Sequence, residues 1–305
     1  DGYQGTRIAP IPRGGGAGNT CLVGGGEAPS STDTISHFQI STLGNSMDFG
    51  NLIANNHDLW GCTASATRCL FLGGTGPQDT IQYVEFANKG NAADFGNLTA
   101  DTRGATGHGN DTRGLRAGGF DPGNSNVIDY VTYATIGNAT DFGDLTAATA
   151  LLASAGSNTR TVFAGGLTPS DTDVIEYVTT GSTGDATDFG DLTDARQRLA
   201  GLSSTTRAAF GGGTPNYSDV IDYITIGSTG DATDFGNLTV DRYVDGGRGS
   251  NQTRGVFAGG YDGSDSNVID YITIASTGDA TDFGDLLDAG VKTASVSDSH
   301  GGLQG

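Results

Sequence analysis

The sequence predicts an all-β chain folded as a six-bladed β-propeller with four antiparallel strands per blade. Three observations predict it. Asp-Phe-Gly occurs six times, beginning at Asp48, Asp94, Asp141, Asp188, Asp234 and Asp282; a Gly-Gly doublet accompanies each copy; and each unit holds four segments of strand length. The steps between tripeptides are 46, 47, 47, 46 and 48 residues. That is the period of a propeller blade, and it is longer than the coils of an open β-solenoid, the competing architecture.

The clearest unit gives the elements in order. Residues 253–260 are a short apolar run ending in Gly259-Gly260, where glycine permits positive φ as the strand turns. Residues 267–274 carry β-branched and aromatic side chains on both faces, as in a strand packed on two sides. Residues 278–286 contain the tripeptide, whose Phe is expected to pack between blades. The fourth segment, for example 198–204, is rich in small residues and suits a crowded innermost strand. One blade cannot cover both its own faces, so stacking in a closed ring must supply the core.

Ring closure is expected from a chain end. The first-strand segment occurs seven times if 13–18 and 293–297 are both counted, so one end lends a strand. The expected organisation is an N-terminal segment at 1–18, the propeller at 19–292, and a C-terminal segment at 293–305 acting as closing strand or linker. The chain opens on Asp1 and its single Met is Met47, which suggests a processed product or part of a longer polypeptide.

Composition narrows the function classes. Of 305 residues 52 are Gly and 7 Pro, and the apolar share is 35%, which fits turn-rich β structure. A net charge of −20, with Lys89 and Lys292 the only lysines, repels phosphate backbones and argues against nucleic-acid binding. Cys21, Cys62 and Cys69 are too few for a disulfide framework and read as small core residues, with a Cys62–Cys69 bridge as the alternative. No window has the length and apolarity of a membrane-inserting helix or a signal peptide.

Catalytic chemistry finds little support. Asp-Phe-Gly is also the magnesium-binding tripeptide of protein kinases, but six copies with no catalytic-loop sequence make it a structural turn. Arg68, Arg113, Arg160, Arg207 and Arg254 recur beside Asp129, Glu176, Asp222 and Asp270, which suggests an ion-pair ladder. His37, His57, His108 and His300 lack metal-ligand spacing, and His37 stands where other units have Tyr. Asp101 and Asp245 break the repeat and are the candidates for an acid or base in a polysaccharide-active enzyme. Asp262, Ser264 and Ser266 alternate as oxygen ligands of a calcium loop do. The chain is otherwise expected to need no cofactor.

The loops after Gly-Gly differ in every copy while the scaffold repeats, and variable loops on one face are where binding usually resides. Phe120, Tyr217, Tyr243 and Tyr261 lie in or beside them and are the candidate binding residues, able to stack on a sugar or anchor a protein.

The Gly-Gly doublet, the strand Asn267-Val268-Ile269-Asp270-Tyr271 and the following Asp282-Phe283-Gly284-Asp285-Leu286 resemble kelch repeats, with Phe283 in place of the kelch tryptophan. Residues 266–286 and 297–303 look more closely like repeat proteins of marine tailed phages, notably cyanophages. That resemblance, which covers the chain from about residue 19, implies a non-enzymatic structural or adhesive virion protein, at a tail fibre or as a capsid decoration. Its implied partners are other virion proteins and a host-surface glycan, within a larger homo-oligomeric assembly and without membrane insertion. A cellular extracellular-matrix or surface-filament protein built from the same repeat is the alternative.

Overall fold

The computed structural model describes residues 18–27, 30–76, 78–120 and 122–303. Twenty-four strands form six four-stranded antiparallel sheets, with one 3-10 turn at Gly301–Leu303 and no α-helix among the described residues. In the fifth blade Ala200–Ser203, Arg207–Gly211, Val220–Thr225 and Thr233–Asn237 run in order from axis to rim. Innermost strands touch their neighbours all round the ring, which makes the chain a six-bladed β-propeller.

Crowding at the axis explains the small residues there. A Cβ on Gly201 would lie 2.6 Å from the Ser154 carbonyl oxygen, and one on Gly107 would lie 2.7 Å from that of Cys62. One strand outward, Phe71, Phe163, Phe210 and Phe257 are fully buried between blades. Farther out, each blade carries an edge-to-face pair from its third and fourth strands, such as Tyr177 on Phe189 at 5.9 Å. His37 on Phe49 at 5.7 Å takes the same place in the first blade, as its position in the repeat predicts.

The ion-pair ladder is corrected. Arg68, Arg113, Arg160, Arg207 and Arg254 instead lie over Tyr83, Tyr130, Tyr177, Tyr223 and Tyr271, with guanidinium carbons 4.3–5.0 Å from the ring centres. The repeated carboxylates find other cations: Arg116 pairs with Asp129 at 2.5 Å, Arg196 with Asp222 at 2.7 Å and Arg242 with Asp270 at 2.8 Å, all buried. Glu176 instead accepts the Thr146 N–H at 2.8 Å.

Asp-Phe-Gly is the joint between blades. Phe189 is buried, its carbonyl accepts the Gly230 N–H of the next blade's outer turn at 2.7 Å, and the Ala232 N–H donates to Asp191 at 2.7 Å. The same pair of bonds recurs at every joint, including the one from Phe283 and Asp285 to Gly44 and Ser46 that completes the circle.

The C-terminal segment supplies the innermost strand of the first blade. Ala294–Ser297 pairs antiparallel with Thr20–Gly24, and the first sheet continues through Thr32–Gln39 and Met47–Asn56. Residues 293–297 are therefore an innermost-strand copy, not a first-strand copy, and the sequence unit is offset by one strand from the blade. The candidate strand at 13–18 lies, except for Gly18, outside the described residues. Beyond Ser297 the chain turns across the end of the channel, where His300 packs on His108 at 4.8 Å and Gly301 and Gly302 press on the carbonyls of Ser204 and Gly109. Burial lowers both imidazoles, His300 to about 4, so both rings are neutral near pH 7.

Asp298 caps the closure, its Oδ1 accepting the Thr20 N–H at 2.8 Å. Asn110 and Asn251 accept the Thr112 and Thr253 N–H groups at 2.9 Å in the corresponding turns. Burial pushes Asp298 up to about 6, outweighing the Thr20 hydrogen bond. A carboxyl whose folded pKa exceeds its unfolded value holds its proton more tightly in the fold, so stability falls as pH rises from about 4 to about 6. Asp298→Asn is expected to keep the cap, remove this cost and add on the order of 1–3 kcal/mol at pH 7. Urea midpoints at pH 4.5 and 7.5 check it: the gain should be about threefold larger at the higher pH, and an equal loss at both would refute it.

All three cysteines are buried and free, so Cys62 and Cys69 are not bridged. Burial pushes the Cys62 thiol up to about 12 and raises those of Cys21 and Cys69 well above the ordinary value.

Candidate functional site

Immediately before each innermost strand the chain turns through a left-handed residue. These are Asp58, Gly104, Leu151, Arg198, Asp245 and Lys292, at spacings of 46 or 47 residues and with φ between 52° and 62°. Only one is glycine, and non-glycine residues held there cost on the order of 1–3 kcal/mol, a strain that concentrates at functional sites.

The six form a belt round the channel mouth. Gly104 N–H donates to the Asp58 carbonyl at 3.1 Å, Leu151 to Gly104 at 2.9 Å, Arg198 to Leu151 at 2.9 Å and Asp245 to Arg198 at 3.1 Å. Lys292 N–H then donates to the Asp245 carboxylate at 2.9 Å, and Leu59 N–H returns to the Lys292 carbonyl at 3.4 Å. The backbone of the belt repeats while its side chains do not: acid, none, apolar, base, acid, base. The rim therefore breaks the repeat in charge and polarity at every step of the belt.

The loops after Gly-Gly flank the belt on the same face. Backbone bridges join Phe120 to Arg103, Leu167 to Ala150, Thr214 to Gln197 and Tyr261 to Tyr243. Tyr243 and Tyr261 stack at 5.5 Å with 15° between planes, and Tyr217 leans on both at 6.1 and 6.0 Å. Three of the four sequence-predicted aromatics thus form one cluster. The fourth, Phe120, carries the Arg103 guanidinium at 5.1 Å.

A cavity of about 300 Å³ opens at the mouth, lined by Trp60, Phe120, Leu151 and Leu167 and by the charged Asp58, Arg103, Arg198 and Lys292. Arg198 lies between the Trp60 and Tyr243 rings at 5.1 and 4.9 Å, linking cavity to tyrosine cluster. The Trp60 Nε1–H is buried with no hydrogen-bond partner among the described residues. Asp245 is fully buried at 3.7 Å from Arg198, and burial pushes its carboxyl up to about 6 against the pull of Arg198 and the Lys292 N–H.

Trp60, Arg103, Arg198 and Lys292 escape sequence reasoning. Their signal is the phase just ahead of the innermost strand, where residue type changes from unit to unit. Asp101, by contrast, is exposed on an outer strand. The calcium candidates bond locally: Ser264 N–H and hydroxyl both donate to Asp262 Oδ1, at 3.2 and 3.1 Å. Ser266 Oγ accepts the Val268 N–H at 3.3 Å, as Ser125, Thr172 and Ser218 do for Val127, Val174 and Val220, so Ser266 belongs to the repeating scaffold.

Fold and site together define a closed six-bladed β-propeller with an aromatic and charged mouth. No protein-family model matches the chain, and no curated protein is significantly similar to it.

Proposed function

We propose that the protein is a non-enzymatic, adhesive or structural component of a tailed-phage particle, at a tail fibre or as a head decoration. Its loop face holds a virion partner or a host-surface glycan. The observation that carries the binding role is the mouth: stacked aromatics and held guanidinium groups on a rim where the side chains change from unit to unit. The virion setting rests on the resemblance of residues 266–286 and 297–303 to phage repeat proteins.

Cryo-electron microscopy of the native source material tests the setting. The propeller is expected on a head or tail, with the Tyr243 face outward; a location along a capsid-free filament would replace the virion reading with the extracellular-matrix one. A glycan array probed with the full chain tests binding, and signal is expected to fall at least tenfold on Tyr243→Ala.

Asp245 favours a second reading. A buried carboxyl raised to about 6 beside an open cavity has the protonation behaviour of a general acid in a polysaccharide-active enzyme. Its Lys292 hydrogen bond gives it a structural task in the belt. Sustained release of sugar from host polysaccharide, abolished in Asp245→Asn with the fold intact, would establish the enzyme in place of the adhesin.

A further inference from the structure

We infer that the mouth takes a carboxylate-bearing sugar, a hexuronic-acid unit of an acidic polysaccharide; this rests on the reading of the mouth as a glycan-binding face. Charge provides the first argument. The chain carries −20, yet the cavity wall presents three cations, Arg103, Arg198 and Lys292, against one lining carboxylate, Asp58. Asp245 and Glu27 partner Arg198 and Lys292 from outside the lining. One of only two lysines in the sequence is thus at this rim. Counting those partners the mouth is close to neutral, so on a chain of −20 it is the place where an anionic group meets the least repulsion and finds cations on the cavity wall.

Geometry provides the second argument. Both guanidinium groups lie over aromatic rings, Arg103 on Phe120 and Arg198 near both Trp60 and Tyr243, which restrains them at the wall before a ligand arrives. Arginine's planar fork matches a carboxylate in a way a point charge does not. Arg103 lies 3.5 Å from Asp58 and Arg198 lies 3.7 Å from Asp245, contacts loose enough to leave donors available.

The wall provides the third argument. It carries apolar and aromatic groups beside its cations. Phe120, Leu151 and Leu167 give an apolar patch for the C–H face of a pyranose, with the edge of the mostly buried Trp60 beside it. A volume of about 300 Å³ is at the small end for ligand sites, suited to one terminal or side-branch unit and not to a long chain segment.

Trp60 is the only tryptophan, so fluorescence excited at the red edge of the indole band, where the ten tyrosines do not absorb, reads this cavity. The test titrates the full chain with trigalacturonic acid, its methyl ester and maltotriose. The acid is expected to shift Trp60 emission and bind at least tenfold tighter than its ester, with the difference shrinking as salt rises from about 20 to 500 mM. Arg103→Gln, at a partly exposed site that should leave folding intact, is expected to bring the acid to the ester's level while weakening the ester far less than the acid. Arg198→Gln should do the same, with thermal melting to check its fold.

Equal binding of acid and ester would overturn the acidic-sugar inference and leave the glycan reading standing. An unperturbed Trp60, with array binding that still depends on Tyr243, would also overturn it by moving the sugar outside the cavity. No binding to any sugar in either assay would overturn both.

Discussion

Deletion of residues 294–305 is expected to leave a chain with no cooperative unfolding transition. The segment removed includes Ala294–Ser297, the innermost strand of the first blade, which packs between Arg248–Ser250 and Gly61–Ala64. The Ser295 hydroxyl donates to the Arg248 carbonyl at 2.6 Å and accepts the Arg248 N–H, and Cys62 Sγ donates to the Ser295 carbonyl at 2.8 Å. Asp298 and His300 go with it, unpinning Thr20 and the channel plug. An opened ring exposes two blade faces and a bare strand edge at once, a loss comparable to the whole stability of a domain, about 5–15 kcal/mol. Near-UV circular dichroism and urea unfolding check this: the truncated chain should lose the aromatic signal and show a broad transition. A peptide spanning 292–303 added in trans should restore both by completing the sheet. A truncated chain that melts cooperatively within a few degrees of the full one would mean that closure does not depend on this strand.

The blade count and period were legible because each blade repeats the same packing problem, and the same side chains solve it at the same phase. The offset between unit and blade was not legible, because a periodic sequence has no privileged starting point; only the pairing of Ala294–Ser297 with Thr20–Gly24 sets it. The misread ion pairs have a geometric cause. Arg207 lies opposite Thr225, so the side chain two residues along that shares its face is Tyr223. Asp222 lies opposite Phe210 and points to the other face, where Arg196 reaches it from the loop before the innermost strand. Adjacency in the repeat suggested a pair that strand alternation forbids.

The binding face was half legible for a similar reason. Phe120 and Tyr261 stood out because they interrupt variable loops that follow a fixed doublet. Trp60, Arg198 and Lys292 did not, because a left-handed turn at a non-glycine residue leaves no residue-type signature. Their convergence comes from the ring, which brings together positions 138 and 94 residues apart in the chain.

Gly190→Ala is expected to cost at least about 3 kcal/mol, although it adds a single methyl near the rim. Gly190 has φ of +145°, and a Cβ there would lie 2.5 Å from the Gly230 carbonyl in the outer turn of the next blade. The turn cannot retreat without loosening the Gly230 bond to Phe189, the Ala232 bond to Asp191, and the Asp191 N–H bond to Asp231 Oδ1 at 3.2 Å. Gly227 sits at the start of that same turn with nothing within 4 Å of its would-be Cβ. Gly227→Ala should therefore change stability by less than about 0.5 kcal/mol. Urea unfolding of the two variants separates backbone approach from general sensitivity of the turn; a Gly190→Ala cost below about 1 kcal/mol would mean that the joints are soft. Gly96, Gly143, Gly236 and Gly284 meet the next blade's turn in the same way, with φ between 144° and 147°. Recurrence of the tripeptide thus follows from one mechanical need met six times: a Phe buried between blades, and after it a residue with no side chain where two backbones touch.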